Sequence, residues 1–171
     1  MALIKSVRGF TPVIGENCYL AETATVIGNV TIGNDCSLWF NTILRGDVHY
    51  IKIGNRVNIQ DGAIIHTTFE KYPVNIGNSV SIAHGAIIHG CTILDNVLIG
   101  MGAIVMDDAV VESNSIVAAG AVVTQGTIVK SGSIYAGSPA KLIKEVSKEL
   151  LEGQIVRIAN SYLMYSSWYK E

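Results

Sequence analysis

The sequence predicts a mainly β protein: a parallel β-helix of six to seven triangular coils, followed by a C-terminal α-helix. A branched apolar residue recurs every six positions through most of the chain, and a small or compact residue recurs four positions after it. Seventeen Gly and only three Pro favour many tight turns over long helices or disorder. One large and one small apolar residue in every six is typical of the hexapeptide β-helix, in which three sixes form one coil.

The branched apolar residue of each six, here called the leading residue, follows a nearly continuous series. With two breaks and one single-residue deletion, the series reads Ile14, Leu20, Val26, Ile32, Leu38, Leu44; Ile53, Ile59, Ile65; Ile76, Ile82, Ile88; Ile93, Ile99, Val105, Val111, Val117, Val123, Val129 and Tyr135. We expect these residues to stack inside the coils. Cys18 and Cys36 occupy the small interior position and are predicted to be packing residues, while Gly15 and Gly33 suit the corners.

Two interruptions and a change of period define the rest of the chain. Residues 45–52 carry three extra residues, and residues 66–75 carry five extra and should protrude as a loop. The six-residue period ends near residue 140, which predicts a repeat domain over residues 1–140 and an amphipathic helix over residues 141–171 that packs on the same domain. Ser147 is a plausible N-cap, and apolar residues follow at helical spacing: Leu150, Leu151, Ile155, Ile158, Ala159, Tyr162 and Tyr165.

Composition excludes several classes of function. A net charge of −2 without long charged runs gives no surface for nucleic acid or an acidic membrane. Three cysteines without a CxxC pair argue against a disulfide framework and against a thiolate zinc site. The first fifteen residues show no apolar signal core, and no stretch approaches eighteen continuous apolar residues. A soluble, cytoplasmic protein is therefore expected.

The coils align distant polar residues. Residues three sixes apart lie above one another at about 4.8 Å, the spacing of adjacent strands. Arg45, His66 and His89 each follow a leading residue directly and are predicted to form one outward column. Asp61 and His84 each stand two places after a leading residue on the preceding face. A subunit interface can bring His84 of one subunit to the column of another, and a threefold ring is the natural closed form of such a contact.

Three neutral imidazoles with one open position are the ligand set of a catalytic zinc site. Such a metal lowers the pKa of bound water to about 7. The same packing would place Arg45 opposite Asp61 across the interface, as a charge-assisted pair that fixes the register. His49, in the first interruption, has no partner in a column.

The segment from Arg45 to His89 resembles the γ-class carbonic anhydrases of the left-handed hexapeptide-repeat superfamily. The matching residues are Arg45-Gly46-Asp47, Asn58-Ile59-Gln60-Asp61 and the three histidines His66, His84 and His89. The resemblance implies a left-handed β-helix and a homotrimer with three interfacial metal sites that hold Zn²⁺, or in some members Fe²⁺ or Co²⁺. It also implies that His66 and His89 bind the metal from one subunit and His84 from the next.

Further roles follow from the same resemblance. Gln60 would hydrogen-bond the metal-bound hydroxide or the substrate, Asn58 and Asp47 would support the pocket, and Arg45 and Asp61 would form the intersubunit salt bridge. Tyr135 falls on a family tyrosine near the site, although its leading position favours an inward side chain.

The sequence also departs from the active members of this family. Val48 stands where they carry a glutamate that shuttles protons, Gly137 stands where they can place an asparagine, and Glu70 is the one acid of the 66–75 loop. The absence of a strong relay argues against fast CO2 hydration.

Three functions remain. The first is attack of a metal-bound hydroxide on CO2 to give bicarbonate. The second is an acyl-CoA thioesterase or hexapeptide acyltransferase, since the superfamily's acyltransferases share the Gly-Ser-Pro-Ala-Lys exit at residues 137–141. The third is a catalytically weak structural trimer. Retention of Gln60 and of an open coordination position favours catalysis.

Overall fold

The computed structural model describes residues 1–169, in which twenty strands, most of them short and parallel, form a β-helix of about seven turns, followed by a C-terminal helical segment. Most strands contain two residues because each repeat uses its remaining positions for a corner. The coils present three faces to the outside, and the three outer surfaces differ.

We name the faces by what they carry. The column face contains β1 (Leu3–Lys5), the first part of β4 (Thr25–Ile32), the first part of β6 (Ile43–Ile53), β8 (Ile64–His66), β11 (Ile87–His89), β14 (Ile104–Val105) and β17 (Val122–Val123). The helix face contains β3 (Tyr19–Leu20), β5 (Ser37–Leu38), β7 (Asn58–Ile59), β10 (Ser81–Ile82), β13 (Leu98–Ile99), β16 (Ile116–Val117), β19 (Ser133–Ala136) and β20 (Lys141–Glu145). The open face contains β2 (Val13–Ile14), the second parts of β4 and β6, β9 (Val74–Ile76), β12 (Thr92–Ile93), β15 (Val110–Val111) and β18 (Ile128–Val129).

The strand register confirms the predicted frame of leading residues. Ile32 pairs with Ile53 across the first interruption, and Ile53 pairs with Ile76 across the second. Ile76 then pairs with Ile93, although the repeat between them is one residue short. On the helix face the same phase runs unbroken from Leu20 to Tyr135. Insertions and deletions are therefore absorbed between the leading positions and leave the stacking of the interior intact.

The interior contains the residues that the repeat predicts. Nearly all leading residues are buried, and so are the alanines of the small position: Ala24, Ala63, Ala86, Ala103, Ala109 and Ala121. Cys36 is buried and Cys18 is half-buried against the same core, which agrees with their predicted packing role. Phe69, which breaks the small-residue pattern, lies outside the core and is 56% exposed.

Gly15 and Gly33 stand at corners, as predicted, but not because the backbone is left-handed there. The left-handed backbone occurs three places after the leading residue, as at Asn17 and Asp35, where Asn and Asp tolerate positive φ. At Gly33, by contrast, a Cβ would lie 2.6 Å from the carbonyl oxygen of Gly54. Gly15 and Gly33 therefore stand at corners because the next coil passes close to them, and no larger residue would fit.

The two interruptions have different structures. In the first, β6 continues without a break round the corner between the column and open faces, and its register against β4 shifts between Gly28 and Val30. This continuity joins the two faces into one twelve-stranded sheet. The second interruption is a loop, as predicted, in which Thr68 and Tyr72 form an isolated antiparallel bridge.

The C-terminal segment is a helix only in part. Residues 141–145, predicted as part of the helical segment, form strand β20, which pairs antiparallel with β19 at the end of the helix face. The helix comprises α1 (Lys148–Leu150), a π-helical stretch (Leu151–Val156) and α2 (Arg157–Ser167). The side chain of Ser147 caps it, as predicted, by accepting a hydrogen bond from the Leu150 N–H at 3.3 Å. The sheet thus extends five residues beyond the expected boundary at residue 140.

The helical segment lies against the helix face. Ile155 and Ala159 are buried there, and the Nη2 atom of Arg56 donates to Oδ1 of Asn160 at 2.7 Å. The rings of Trp39 and Tyr162 meet edge-to-face, with centroids 5.4 Å apart. Along residues 1–169, no helix combines the length and the apolarity needed to cross a bilayer.

Candidate functional site

The strand register places Arg45, His66 and His89 in one outward column, as their spacing predicts. Arg45 of β6 pairs with His66 of β8, and His66 pairs with His89 of β11. The three side chains leave the column face from successive coils, because each follows a buried leading residue. Residues far apart in the sequence therefore form one short polar row on a surface of isoleucines.

Two carboxylates fix the orientation of the imidazoles in this column. Oδ1 of Asp47 lies 3.2 Å from Nε2 of His66, and Oδ1 of Asp107 lies 2.6 Å from Nδ1 of His89. A carboxylate can only accept, so each of these nitrogens carries a hydrogen, which in a neutral ring is the single N–H. The lone pairs then reside on Nδ1 of His66 and Nε2 of His89, which face each other at 3.1 Å.

This arrangement fits a metal ion. Two nitrogens bound to one tetrahedral Zn²⁺ at about 2.05 Å would lie about 3.3 Å apart, close to the distance found here. If both rings are neutral and in these tautomers, their lone pairs repel at 3.1 Å, and a shared cation removes the repulsion. The carboxylates behind the rings are the partners that metal-binding histidines usually have.

The electrostatics of the column favour the neutral, metal-binding form of His66. Burial lowers the pKa of His66, and the Arg45 guanidinium lowers it further, while the hydrogen bond with Asp47 opposes both. Burial alone would raise the pKa of Asp47, but hydrogen bonds from Arg45 and His66 hold it below its usual value. Nη1 of Arg45 donates to Oδ2 of Asp47 at 2.7 Å, so one carboxylate links the arginine to the histidine.

His84 lies on a different face. It follows β10 of the helix face, where its Nδ1 lies 2.9 Å from Oδ2 of Asp61. Its other ring nitrogen, Nε2, lies 3.4 Å from the hydroxyl of Tyr162. Within residues 1–169, no three His, Cys, Asp or Glu side chains surround a common point. One chain thus supplies two converging nitrogens on the column face and a third on the helix face.

Gln60 and Asn58 form a buried polar chain beside His84. Nε2 of Gln60 donates to Oδ1 of Asn58 at 2.9 Å, and Nδ2 of Asn58 donates to Oγ of Ser81 at 2.7 Å. Gln60 and His84 line a groove of about 450 Å³ between the helix face and the C-terminal helix. Since its amide nitrogen is committed to Asn58, the side-chain oxygen of Gln60 is the group left to accept a hydrogen bond.

The remaining predicted site residues have partners within the single chain. Arg45 and Asp61, predicted to pair between subunits, bind Asp47 and His84 within the single chain. Tyr135 lies in β19, three strands from β10, and its hydroxyl donates to the Ile128 carbonyl at 3.4 Å.

Two further polar residues show no link to the histidine column. Nδ1 of His49 accepts the Tyr50 N–H at 2.8 Å. Glu70 is exposed in the loop, where its backbone N–H donates to the Val48 carbonyl at 3.4 Å.

Sequence reasoning missed three residues around the histidines: Asp107 and Tyr162 contact them directly, and Thr68 contacts Asp107. Asp107 stands eighteen residues after His89, which is the length of one coil and could have pointed to it. The single-residue deletion after Ile88 shifted the leading frame and hid this spacing. Thr68 reaches Asp107 from the 66–75 loop, with Oγ1 donating to Oδ2 at 2.8 Å. Tyr162 gave no signal, because its contact with His84 depends on how the C-terminal helix docks.

Known proteins share this architecture. The family model described as "Bacterial transferase hexapeptide (six repeats)" matches residues 11–46 and 90–125. A carbonic anhydrase of Geobacillus kaustophilus is 40% identical over 168 residues, which span 98% of this chain and 91% of that protein. The mitochondrial γ-carbonic anhydrase 1 of Arabidopsis thaliana is 38% identical over 161 residues, 91% of this chain and 57% of that protein.

A solved structure shows the same likeness along the whole chain. The crystal structure of a putative acetyltransferase from Bacillus cereus superposes with a TM-score of 0.94 at 35% identity, and covers 99% of this chain and 97% of that one. Identity at this level over nearly all of the chain shows common descent as well as a common fold. The chain therefore belongs to the hexapeptide-repeat family of γ-class carbonic anhydrase-like proteins.

Proposed function

We propose that this protein is a metal-dependent carbonic anhydrase-type lyase, which interconverts CO2 and bicarbonate at sites shared between the subunits of a homotrimer. The metal is Zn²⁺, or Fe²⁺ or Co²⁺, bound by Nδ1 of His66, Nε2 of His89 and Nε2 of His84 of the partner subunit. One observation carries the proposal: two imidazole nitrogens face each other at 3.1 Å while carboxylates hold the opposite nitrogen of each ring.

The outer surface of the column face supports a shared site. Ile43, Ile64 and Ile87 lie beside the polar column in successive coils, and each remains 37–38% exposed in the single chain. Covering such a stripe with a second copy would remove apolar surface from water at about 25 cal/mol per Å². A neighbour that covers this stripe also brings a third ligand within reach of His66 and His89.

A bound divalent cation supplies Lewis acidity, which brings the pKa of a coordinated water to about 7. The protein's own residues prepare the site for it. Burial and the Arg45 guanidinium lower the pKa of His66 and favour its neutral form, while Asp47 orients its ring. Asp61 holds Nδ1 of His84, so Nε2, which lies 3.4 Å from the Tyr162 hydroxyl, is the nitrogen that would bind the metal. Asn58 fixes the Gln60 amide so that its oxygen can accept a hydrogen bond from a hydroxyl group in the site.

Thioester hydrolysis is the second candidate. The groove beside His84 and Gln60 is far larger than CO2 requires, and its wall includes Leu98, Met101 and Ile116. The likeness to a protein named as a putative acetyltransferase also favours an acyl group as ligand. The same metal site could serve this reaction, so only the substrate separates the two candidates.

The decisive experiment uses anaerobically prepared protein reconstituted with Zn²⁺, Co²⁺ or Fe²⁺, with bound metal quantified in every sample. Stopped-flow CO2 hydration and acyl-CoA hydrolysis are then measured, with His89→Ala as the matched control. We expect metal-dependent hydration that the variant loses. Full metal content without hydration would discard the lyase, and thioester turnover in the same samples would establish the second candidate.

Co-expression of two inactive variants tests the shared site directly. His89→Ala lacks a column ligand, and His84→Ala lacks the ligand from the helix face. If each site takes the column from one subunit and His84 from the next, every trimer that contains both variants has one intact site. Metal and activity should then reappear in the mixture, whereas ligands drawn from a single subunit would give no recovery. Full metal occupancy in His84→Ala alone would also contradict the shared site.

A further inference from the structure

Asp107 connects a metal-binding histidine to the 66–75 loop. Its Oδ1 lies 2.6 Å from Nδ1 of His89, and its Oδ2 accepts from Oγ1 of Thr68 at 2.8 Å. The two oxygens of one carboxylate therefore serve two different partners. Thr68 belongs to the loop, whereas His89 belongs to β11. The chain Thr68–Asp107–His89 thus runs from the insertion to the column.

The backbone around this chain is closely packed. The N–H of Thr68 donates to the Tyr72 carbonyl at 3.0 Å, which closes the loop on itself. At Gly90, directly after His89, a Cβ would collide with Oδ1 of Asp107 and would lie 2.8 Å from Cβ of Tyr72. Glycine at this position allows the loop, the carboxylate and the histidine to meet.

We propose that Asp107 and Thr68 are positioning residues: Asp107 holds the hydrogen of His89 on Nδ1 and aims Nε2 at His66, and Thr68 holds Asp107 in place. The hydrogen bond made by one ring nitrogen determines which nitrogen is left to bind a metal. The 66–75 loop is then a structural part of the metal site. This inference rests on the proposed function only in taking His89 as a ligand, since the orientation of the ring exists without metal.

His66, the other histidine of the column, is held differently. Asp47 behind His66 is paired with the Arg45 guanidinium, whereas Asp107 behind His89 has a hydroxyl as its second partner. The hydrogen bond from a neutral hydroxyl to a carboxylate is weaker than the one from a charged guanidinium, so it holds the carboxylate less firmly. Changes in the loop should therefore alter the orientation of the His89 ring but not that of the His66 ring.

Metal affinity tests the inference on the assembled protein. We expect Asp107→Asn to weaken Zn²⁺ binding about 10- to 100-fold, the usual cost of removing the outer partner of a metal-bound histidine. Thr68→Val removes the donor at nearly constant volume and should weaken binding about 3- to 10-fold. The matched control is Asp108→Asn, because Asp108 is exposed and has a left-handed backbone that Asn also adopts. Equal affinities in Asp107→Asn and Asp108→Asn would overturn the inference.

A second measurement uses metal-free protein. Nitrogen-15 NMR of the imidazoles, recorded well above the ordinary histidine pKa, reports which nitrogen of His89 carries hydrogen. We expect Nδ1–H in the natural protein and in Asp108→Asn, and a shift towards Nε2–H in Asp107→Asn. A natural protein with hydrogen on Nε2 of His89 would overturn the inference. If the natural protein binds no metal, the proposed function fails while this measurement still decides the role of Asp107.

Discussion

In the coils that carry the histidines, the column face and the open face share one kind of interior but differ in the polarity of their outer surfaces. On both faces the leading residues of the coils that carry the histidines are buried aliphatics: Leu44, Ile65 and Ile88 on one, and Ile53, Ile76 and Ile93 on the other. One position earlier, the outer residues are Ile43, Ile64 and Ile87 on the column face, but Lys52, Asn75 and Thr92 on the open face.

This difference shows which positions of the repeat are free to carry function. The inner position must fill a narrow prism, so every coil requires a similar aliphatic side chain there. The outer positions make no contribution to that packing and can differ from face to face. Apolar outer residues beside a polar column indicate a surface that binds another molecule, whereas polar outer residues are typical of a surface exposed to solvent.

Removing a histidine of the column should give the largest effect of all. We expect His89→Ala to lose stoichiometric Zn²⁺, a greater loss than the about 10- to 100-fold expected when an outer partner is removed. His49→Ala is the control, since Nδ1 of His49 accepts the N–H of the neighbouring Tyr50 and His49 stands outside the column. Metal analysis after dialysis measures both. Equal metal loss in the two variants would contradict the assignment of the column as the site.

Shortening an inner residue should have the next largest effect, and it should not depend on the face. Ile65 is 0% exposed on the column face and Ile93 is 1% exposed on the open face. Each change to Ala leaves a cavity and should cost about 2–5 kcal/mol in the free energy of unfolding. Denaturant titration of the two variants, each measured without metal, checks this. Strongly unequal losses would show that the interiors of the two faces are not equivalent.

The same distinction explains how much of the fold could be read from the sequence. Inner residues repeat, so the series from Ile14 to Tyr135 predicted the register even across a five-residue insertion. Strand β20 escaped prediction because all five of its residues are exposed and leave no burial pattern. It forms because β19 offers a free edge, and that edge is a property of the folded coil.

The candidate site was predictable to a similar degree. Columns follow from counting, so Arg45, His66 and His89 could be aligned from the amino-acid sequence alone. Asp107 stands two places after its leading residue, whereas His89 stands one place after its own, so counting does not align the two. Their contact depends on how both side chains turn at a corner. Tyr162 reaches His84 across 78 residues through the docking of a helix, which no local pattern encodes.

A charge on the isoleucine stripe should weaken assembly without unfolding the coil. Ile64→Asp places a carboxylate in the surface that the proposed trimer buries, and burying an unpaired charge is costly. We expect the trimer to dissociate at least about 10-fold more readily, equivalent to about 1.4 kcal/mol. Thr31→Asp, on the exposed outer surface of the open face, should leave assembly unchanged. Sedimentation equilibrium at several concentrations compares the two, and an equally stable Ile64→Asp trimer would move the interface elsewhere.

The helical segment that covers the third face should give the smallest effect. The Ser147 hydroxyl accepts the Leu150 N–H, and the pKa of Glu149 is lowered by its own backbone N–H and then by this hydroxyl. Ser147→Ala should cost about 1 kcal/mol, seen as faster hydrogen exchange in the first turn.

Because the folded pKa of Glu149 lies below its ordinary value, its stabilising contribution is complete above that value and is lost as the pH falls through the lowered pKa. The protection of the first turn against hydrogen exchange should therefore change less between about pH 7 and about pH 3 in Ser147→Ala than in the natural protein. Unchanged metal content in this variant would show that metal binding does not depend on the first turn of the helix. A loss of metal would show that the docking of Tyr162 on His84 contributes to metal binding.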